Sequence, residues 1–314
     1  MTFFMNPDKI ELKKALLLVN THARKVQDNL NLALTYLQDF GLEIICKETQ
    51  SPQDFNHFIQ NYKNQVNMVI IGGGDGTLNL AVDALVDTGL PLGILPLGTA
   101  NDLARTLGIP VSLFEACRAI ATGKKRYIDL GVVNGKYFFN VASIGLSVDI
   151  TNNLTKEAKR RWGILAYTIT ASKMILKSRP FTAEIRCNGE TKIVKTLQVA
   201  VGNGKHYGGG MTIAHDAAID DQRLDLYSLE IKYCWQFIGM LPSIWQGKYQ
   251  ENFGFRFLSG SVFNVYTRKP RPINTDGEIV TYTPAHFQVV PLALAVIVPR
   301  KLTTEKEKLN PVID

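Results

Sequence analysis

The sequence predicts a doubly wound α/β domain followed by an antiparallel β-sandwich or barrel domain, and three observations carry that reading. The chain has 314 residues, more than one compact domain usually holds. Up to Thr122, apolar strand-like runs alternate with helical spacing, the pattern of a parallel sheet covered on both faces. Beyond Asp129, short strands and tight turns dominate, the texture of a sandwich or barrel. The expected domains are 1–128 and 129–298, with a helical insertion at 153–178. The polar tail, 299–314, either straps back on the first domain or is free.

Taken in order, "ALLLVN" (15–20) is a short apolar strand ending in a turn, and "VQDNLNLALTYLQDFG" (26–41) has helical spacing with a glycine stop. "LEIICKET" (42–49) reads as a strand, "PQDFNHFIQNYKN" (52–64) as a helix opened by proline, and "NMVIIGG" (67–73) as another strand. A helix from Leu78, the strand "PLGILPLG" (91–98) and helices from Asn101 and Val111 complete the first unit. In the second, Asn134-Gly135 between two apolar runs is a strong hairpin signal. The segments "FTAEIRCNGE", "KTLQVAVGNG", "RLDLYSLEI", "FRFLSGSVFNVYT" and "AHFQVVPLALAVIV" supply further strands.

Hydrophobic residues make up 46% of the chain and charged residues 20%, an ordinary soluble balance. No apolar run approaches the roughly 18 residues that cross a bilayer. The N-terminus "MTFFMNPDKIELKK" lacks the regions of a secretory signal, so a cytoplasmic location is expected. Cys46, Cys117, Cys187 and Cys234 stand far apart and no histidine pair has ligand spacing, which favours buried thiols over disulfides or zinc. Most of the +7 net charge falls between Lys156 and Arg179, where seven basic residues face one acidic. Nucleic acid, a membrane surface or an acidic substrate each fit that cluster, and so does a solvated helix face. Without a recognised binding motif, nucleic acid is the weakest of these.

The segment "GGGDGT" follows an apolar strand, where open α/β sheets bind ligands. Its glycines allow close approach of a phosphate to backbone N–H groups, and the next helix adds favourable potential. Thr77 breaks the dinucleotide fingerprint, and the Gly-Lys-Ser/Thr phosphate loop is absent. Asp75 would repel a bare phosphate unless a divalent cation lies between them, so magnesium arriving with ATP reconciles the loop with its carboxylate. A strand-turn-helix corner capped by Asp75 is the plainer alternative. At the next strand end, "LPLGTANDLAR" (95–105) offers Gly98, Thr99 and an Asn101-Asp102 pair that reads as a helix N-cap.

"GGGDGTLN" followed by "LPLGTANDLART" resembles the soluble diacylglycerol kinase catalytic family, which includes bacterial lipid kinases and the sphingosine and ceramide kinases. "VGNGKHYGGGMTIAHDAAIDDQRLDL" (201–226) and "INTDGEIV" (273–280) are similar to two further motifs of that family, so the likeness runs from about residue 15 to 298. It implies an ATP- and Mg2+-dependent lipid kinase with its site between the domains. Gly73, Gly74, Asp75, Gly76, Thr77, Leu78 and Asn79 would form the nucleotide-phosphate loop, with Asp75 holding the catalytic magnesium. Asn20, Thr49 and Thr99 would contact ATP, although the first loop, "NTHARK", departs from the family's Asn-Pro-x-Ser-Gly. Glu278 would be the general base toward the lipid hydroxyl. Asp221, with the carbonyls of Ala218 and Arg223, would form a structural magnesium site, or the turn is simply hydrogen-bonded.

The resemblance also implies contact with an anionic membrane surface, for which Trp162 and Leu165 beside Lys159, Arg160 and Arg161 are suited; the same residues would equally pack a helix on the β domain. A homodimer through an exposed strand edge is compatible with the sequence. The alternatives are a kinase of a soluble acceptor, NAD kinase-like, and a non-catalytic nucleotide- or lipid-binding regulator. The acceptor lipid itself is not legible.

Overall fold

The computed structural model describes residues 13–20, 24–146, 179–204, 206–207, 211–212, 218–230 and 254–300. The expected helical insertion, most of the tail and the Asn20 side chain lie outside them. The first unit contains β1 (Lys13–Asn20), α1 (Arg24–Asp39), β2 (Leu42–Thr49), α2 (Pro52–Tyr62), β3 (Met68–Gly73), α3 (Asp75–Asn79), α4 (Val82–Thr88), β4 (Leu92–Pro96), α5 (Asp102–Thr106) and α6 (Leu113–Thr122). Its strands run parallel in the order β2-β1-β3-β4. Ala15–Val19 and Val69–Ile71 are buried, as continuous apolar strands covered on both faces must be. α1 buries Ala33 and Leu37, one turn apart on a single face. α2 begins at Pro52 behind a capping box in which Asp54 Oδ2 accepts the Gln50 and Ser51 amides at 2.7 and 2.8 Å. The helix expected from Leu78 instead starts at Asp75, breaks after Asn79 and resumes at Val82.

The second unit contains β5 (Lys124–Val133), β6 (Lys136–Phe138), β7 (Val141–Gly145), β8 (Phe181–Cys187), β9 (Glu190–Thr196), β10 (Gln198–Gly202), β11 (His206–Tyr207), β12 (Met211–Thr212), β13 (Leu224–Leu229), β14 (Phe255–Gly260), β15 (Val262–Thr267), β16 (Pro272–Thr275), β17 (Glu278–Tyr282) and β18 (Ala285–Val298). Asn134 and Gly135, both at positive φ, form the expected two-residue hairpin between β5 and β6. One antiparallel sheet has the order β14-β13-β10-β7-β16-β17. Its inner face packs Ile144, Val199 and Leu226 into one core with Phe138, Phe263 and Phe287 of the opposing layer, making the β-sandwich.

That opposing layer is a continuation of the first domain's sheet. β18 pairs in parallel with β4 at Val296–Leu92 and antiparallel with β5 and β15, so a ten-stranded sheet passes through both domains. The device lies in the middle of β18. Pro291 has no N–H, Leu292 stands at φ 50°, and the register with β5 shifts between Val290 and Leu294. The strand therefore sends Phe287 into the sandwich core and Leu294, Val296 and Val298 into the α/β core. Asp129 fixes the bend: its buried carboxylate accepts the Leu292 amide at 2.7 Å and the Gln222 amide at 2.6 Å.

Candidate active site

The loops after β3 and β4 cross in contact. A β-carbon built on Gly74 would lie 3.0 Å from the Gly98 Cα, and one on Gly73 would lie 2.6 Å from the Thr77 Cβ, so neither position has room for a side chain. Asn101 sits at φ 51° and does not cap α5 as its position predicts. Its side chain turns back to close the loop, accepting the Gly98 amide at 3.0 Å and donating to the Pro96 and Gly98 carbonyls at 3.1 and 3.0 Å. The cap comes from the neighbouring loop. Asp75 Oδ2 accepts the Asp102 amide at 3.1 Å and Asp75 Oδ1 the Leu103 amide at 3.0 Å. The plain reading of Asp75 as a helix cap was thus half right, on α5 rather than on its own helix.

The sandwich approaches the same carboxylate. Asn140, at the start of the β7 segment and 2% exposed, directs its Nδ2 to Asp75 Oδ1 at 3.4 Å. The hairpin of β16 and β17 turns through Asp276 (φ 47°) and Gly277 (φ 104°), the Asp-Gly pair that suits a two-residue turn with positive φ. Glu278 follows it, exposed, and reaches over the glycine loop: a β-carbon built on Gly76 would stand 3.8 Å from Glu278 Oε1. Glu278 and Asp75 therefore share one cleft although they come from different domains.

Asp276, given no role from the sequence, is the third acidic group here. Its carboxylate accepts the Phe139, Asn140 and Val141 amides at 2.8, 3.1 and 3.1 Å. Burial pushes its pKa up to about 7 and the Asp75 charge pushes the same way, against the pull of the three N–H groups. The Asp-Gly dipeptide announced a turn; nothing in the string announced a carboxylate folded back beneath it.

Thr99 is exposed beside Gly98. Thr49 is buried and gives its hydroxyl hydrogen to the Val19 carbonyl at 3.1 Å, leaving its oxygen lone pairs as the means of contact. Asn20 stands opposite Thr49 at the end of β1. Leu78 is buried under the loop, and Asn79 Oδ1 is buried without a donor among the described residues. At the turn 218–223, Asp221 Oδ2 accepts the Ala218 amide at 3.2 Å and faces Arg223 Nε at 3.0 Å, while Oδ1 accepts the Arg223 amide at 3.3 Å. Burial raises the Asp221 pKa and these donors oppose the rise. An ion at Asp221 would share that carboxylate with the positive charge of Arg223.

A model of the diacylglycerol kinase catalytic domain matches residues 14–133, and a model of the YegS C-terminal NAD kinase beta sandwich-like domain matches residues 140–298. The chain belongs to the diacylglycerol kinase catalytic family. It is 28% identical over 296 residues to a diacylglycerol kinase of Bacillus subtilis (strain 168), covering 92% of this chain and 98% of that one. It is 32% identical over 282 residues to the "Probable lipid kinase YegS" of Salmonella arizonae, covering 86% and 92%. A crystal structure of a diacylglycerol kinase from Bacillus anthracis str. Sterne superposes with a TM-score of 0.78 over 92% of this chain and 98% of that one, at 24% identity, a match of fold. Between the two matched stretches lie the Asn134-Gly135 turn and β6. Within this lipid kinase family, no helix among the described residues of this chain is long and apolar enough to cross a membrane.

The donor set around Asp75 suits a hard cation. Three N–H groups leave lone pairs free on a carboxylate with about four acceptor sites. Among the described residues no three His, Cys, Asp or Glu side chains are grouped so that they could hold a metal ion together. One carboxylate with phosphate oxygens and water is a common way to hold magnesium.

Proposed function

We propose that this chain is an ATP- and magnesium-dependent kinase that phosphorylates the hydroxyl of a diacylglycerol-like lipid alcohol. The observation that supports it best is Glu278 Oε1 reaching over Gly76, one residue from Asp75. The glycine backbones at positions 73, 74, 76 and 98, with the Thr99 hydroxyl, would seat the phosphates of ATP. Asp75 would hold the magnesium, which neutralises charge on the phosphate oxygens when bound. Glu278 would accept the proton of the lipid hydroxyl as that oxygen bonds to the γ-phosphorus and the bond to the ADP oxygen breaks.

The test is incubation of the purified chain with labelled ATP, magnesium and a panel of lipid alcohols in anionic mixed micelles, with NAD as a parallel acceptor. Label in one lipid, lost in Asp75→Asn and Glu278→Gln, is the expected result. Label in NAD would assign a soluble acceptor, and the absence of label anywhere would favour a binding role for the same site.

A further inference from the structure

Asn140 touches both acidic groups that line the cleft. Its backbone N–H donates to Asp276 Oδ1 at 3.1 Å and its side-chain amide donates to Asp75 Oδ1 at 3.4 Å. Its backbone carbonyl accepts the Asn203 amide at 2.9 Å, and the Asn203 side chain donates to the Asp129 and Phe139 carbonyls at 2.9 and 3.0 Å. Asn140 is thus held by the sandwich at both its backbone N–H and its carbonyl and presents one side-chain amide to the α/β domain. Because its neighbour is a carboxylate, which only accepts, the NH2 end must face Asp75 and the Oδ1 end must face away. That Oδ1 is buried and finds no donor among the described residues.

We infer that Asn140 is a positioning residue for the metal carboxylate: through its Nδ2 it orients Asp75 from the sandwich side. The choice of side chain follows from electrostatics. A lysine or arginine would orient Asp75 equally well but would neutralise it and repel a cation. An aspartate would add repulsion beside Asp75. A neutral amide fixes the carboxylate and leaves its charge available. Outer-shell partners of this kind typically change metal affinity by about 10–100-fold when removed.

This inference rests on the reading of Asp75 as the metal carboxylate, and the experiment separates the two. Mn2+ is titrated against the full chain with a non-hydrolysable ATP analogue, and free Mn2+ is read by electron paramagnetic resonance. The analogue's affinity is also measured by calorimetry in EDTA. Asn140→Ala and Asn140→Ser should weaken Mn2+ binding by about 10–100-fold and leave metal-free analogue binding unchanged. Wild-type Mn2+ affinity in folded variants would overturn the inference. Equal loss of metal-dependent and metal-free binding would overturn it too, since that marks a purely structural contact. If neither variant folds, Asn140 is an interdomain support and the positioning role is likewise rejected. Asp75→Asn is the reference: if it keeps wild-type Mn2+ affinity, the reading of Asp75 fails. If it loses affinity while the Asn140 variants keep it, only the present inference fails.

Discussion

Asp75→Asn is the natural variant for removing the carboxylate proposed to hold the metal, and the structure says that it will not be silent in stability. The carboxylate accepts two backbone amides of α5, from Asp102 at 3.1 Å and Leu103 at 3.0 Å, and the Asn140 side chain at 3.4 Å. An asparagine keeps one oxygen for these three donors and turns an NH2 group toward at least one of them. One partly buried N–H is then left without an acceptor, which costs about 1–3 kcal/mol. For a cooperative unit of this size each kcal/mol lowers the Tm by roughly 2–4 °C, so a cost near the middle of that range predicts a fall of about 4–8 °C. The loss of negative charge has a second signature. Asp75 is one of the groups holding the Asp276 pKa up, so Asp276 should ionise at lower pH in the variant. Differential scanning calorimetry at several pH values reads both effects, and a phosphotransfer assay reads the third, loss of turnover. A Tm within about 1 °C of wild type, set against that 2–4 °C per kcal/mol, would refute the capping role assigned to Asp75.

Glu278 is exposed, so Glu278→Gln should leave the melting temperature near wild type while lowering turnover by about 10²–10⁴-fold, the usual worth of a positioned base; calorimetry and the same transfer assay separate the two. Gly98→Ala would drive a β-carbon into the Gly74 Cα, where backbone cannot yield cheaply. The expected result is about 1–3 kcal/mol of destabilisation with a raised KM for ATP, and an unchanged KM would show that the crossing does not shape the nucleotide seat. Asp276 should make stability fall as pH rises: its folded pKa of about 7 lies above the ordinary carboxylate value of 3.8, so its contribution is present below that value and is lost as pH passes through 7. Asp276→Asn, which mimics the protonated acid, should flatten the change in denaturant midpoint between those limits, and an unaltered slope would assign it to another group.

The sequence carried the fold wherever periodicity maps onto one element at a time. β2 appears at the residues its apolar run marks, α2 starts at its proline, and the Asn134-Gly135 hairpin turns where a positive φ is cheapest. β18 shows the limit. Its fourteen residues read as one apolar strand, and no local pattern tells that the two halves serve different cores, because that division is made by pairing with β4, β5 and β15. The site divides in the same way. The glycine loops were legible because steric need acts over a few residues, whereas local chemistry marked "TDGE" only as a turn and Glu278 was singled out by the family resemblance alone. Asn101 was expected at a cap and closes its own loop, since Asp75, 26 residues earlier in the chain, occupies the capping position. Asn140 gave no signal and Asp276 only that of a turn, their partners lying far away in sequence.

The distance between Asp75 and Glu278 is therefore fixed by backbone pairing rather than by side-chain contact across a free hinge. Glu278 is held through β16 and β7, which pair at Ile273–Ile144 and Thr275–Ala142. β7 leads back through the β6–β7 turn, whose amides Asp276 grips, to β6, whose pairing with β5 joins it to the shared sheet. On the other side, β3 and β4 carry both glycine loops and meet the same sheet at β18. If the two groups act on one lipid hydroxyl as proposed, their placement on mutually paired elements would need little reorganisation to face it, the arrangement that lets orientation contribute most to rate. Lengthening the β16–β17 turn by one glycine after Gly277 tests this directly. It moves the Glu278 carboxylate off the loop without changing its chemistry, and should lower turnover nearly as far as Glu278→Gln does. Turnover that survives the insertion would show that the hairpin adjusts, and that the paired strands do not set the geometry of the site.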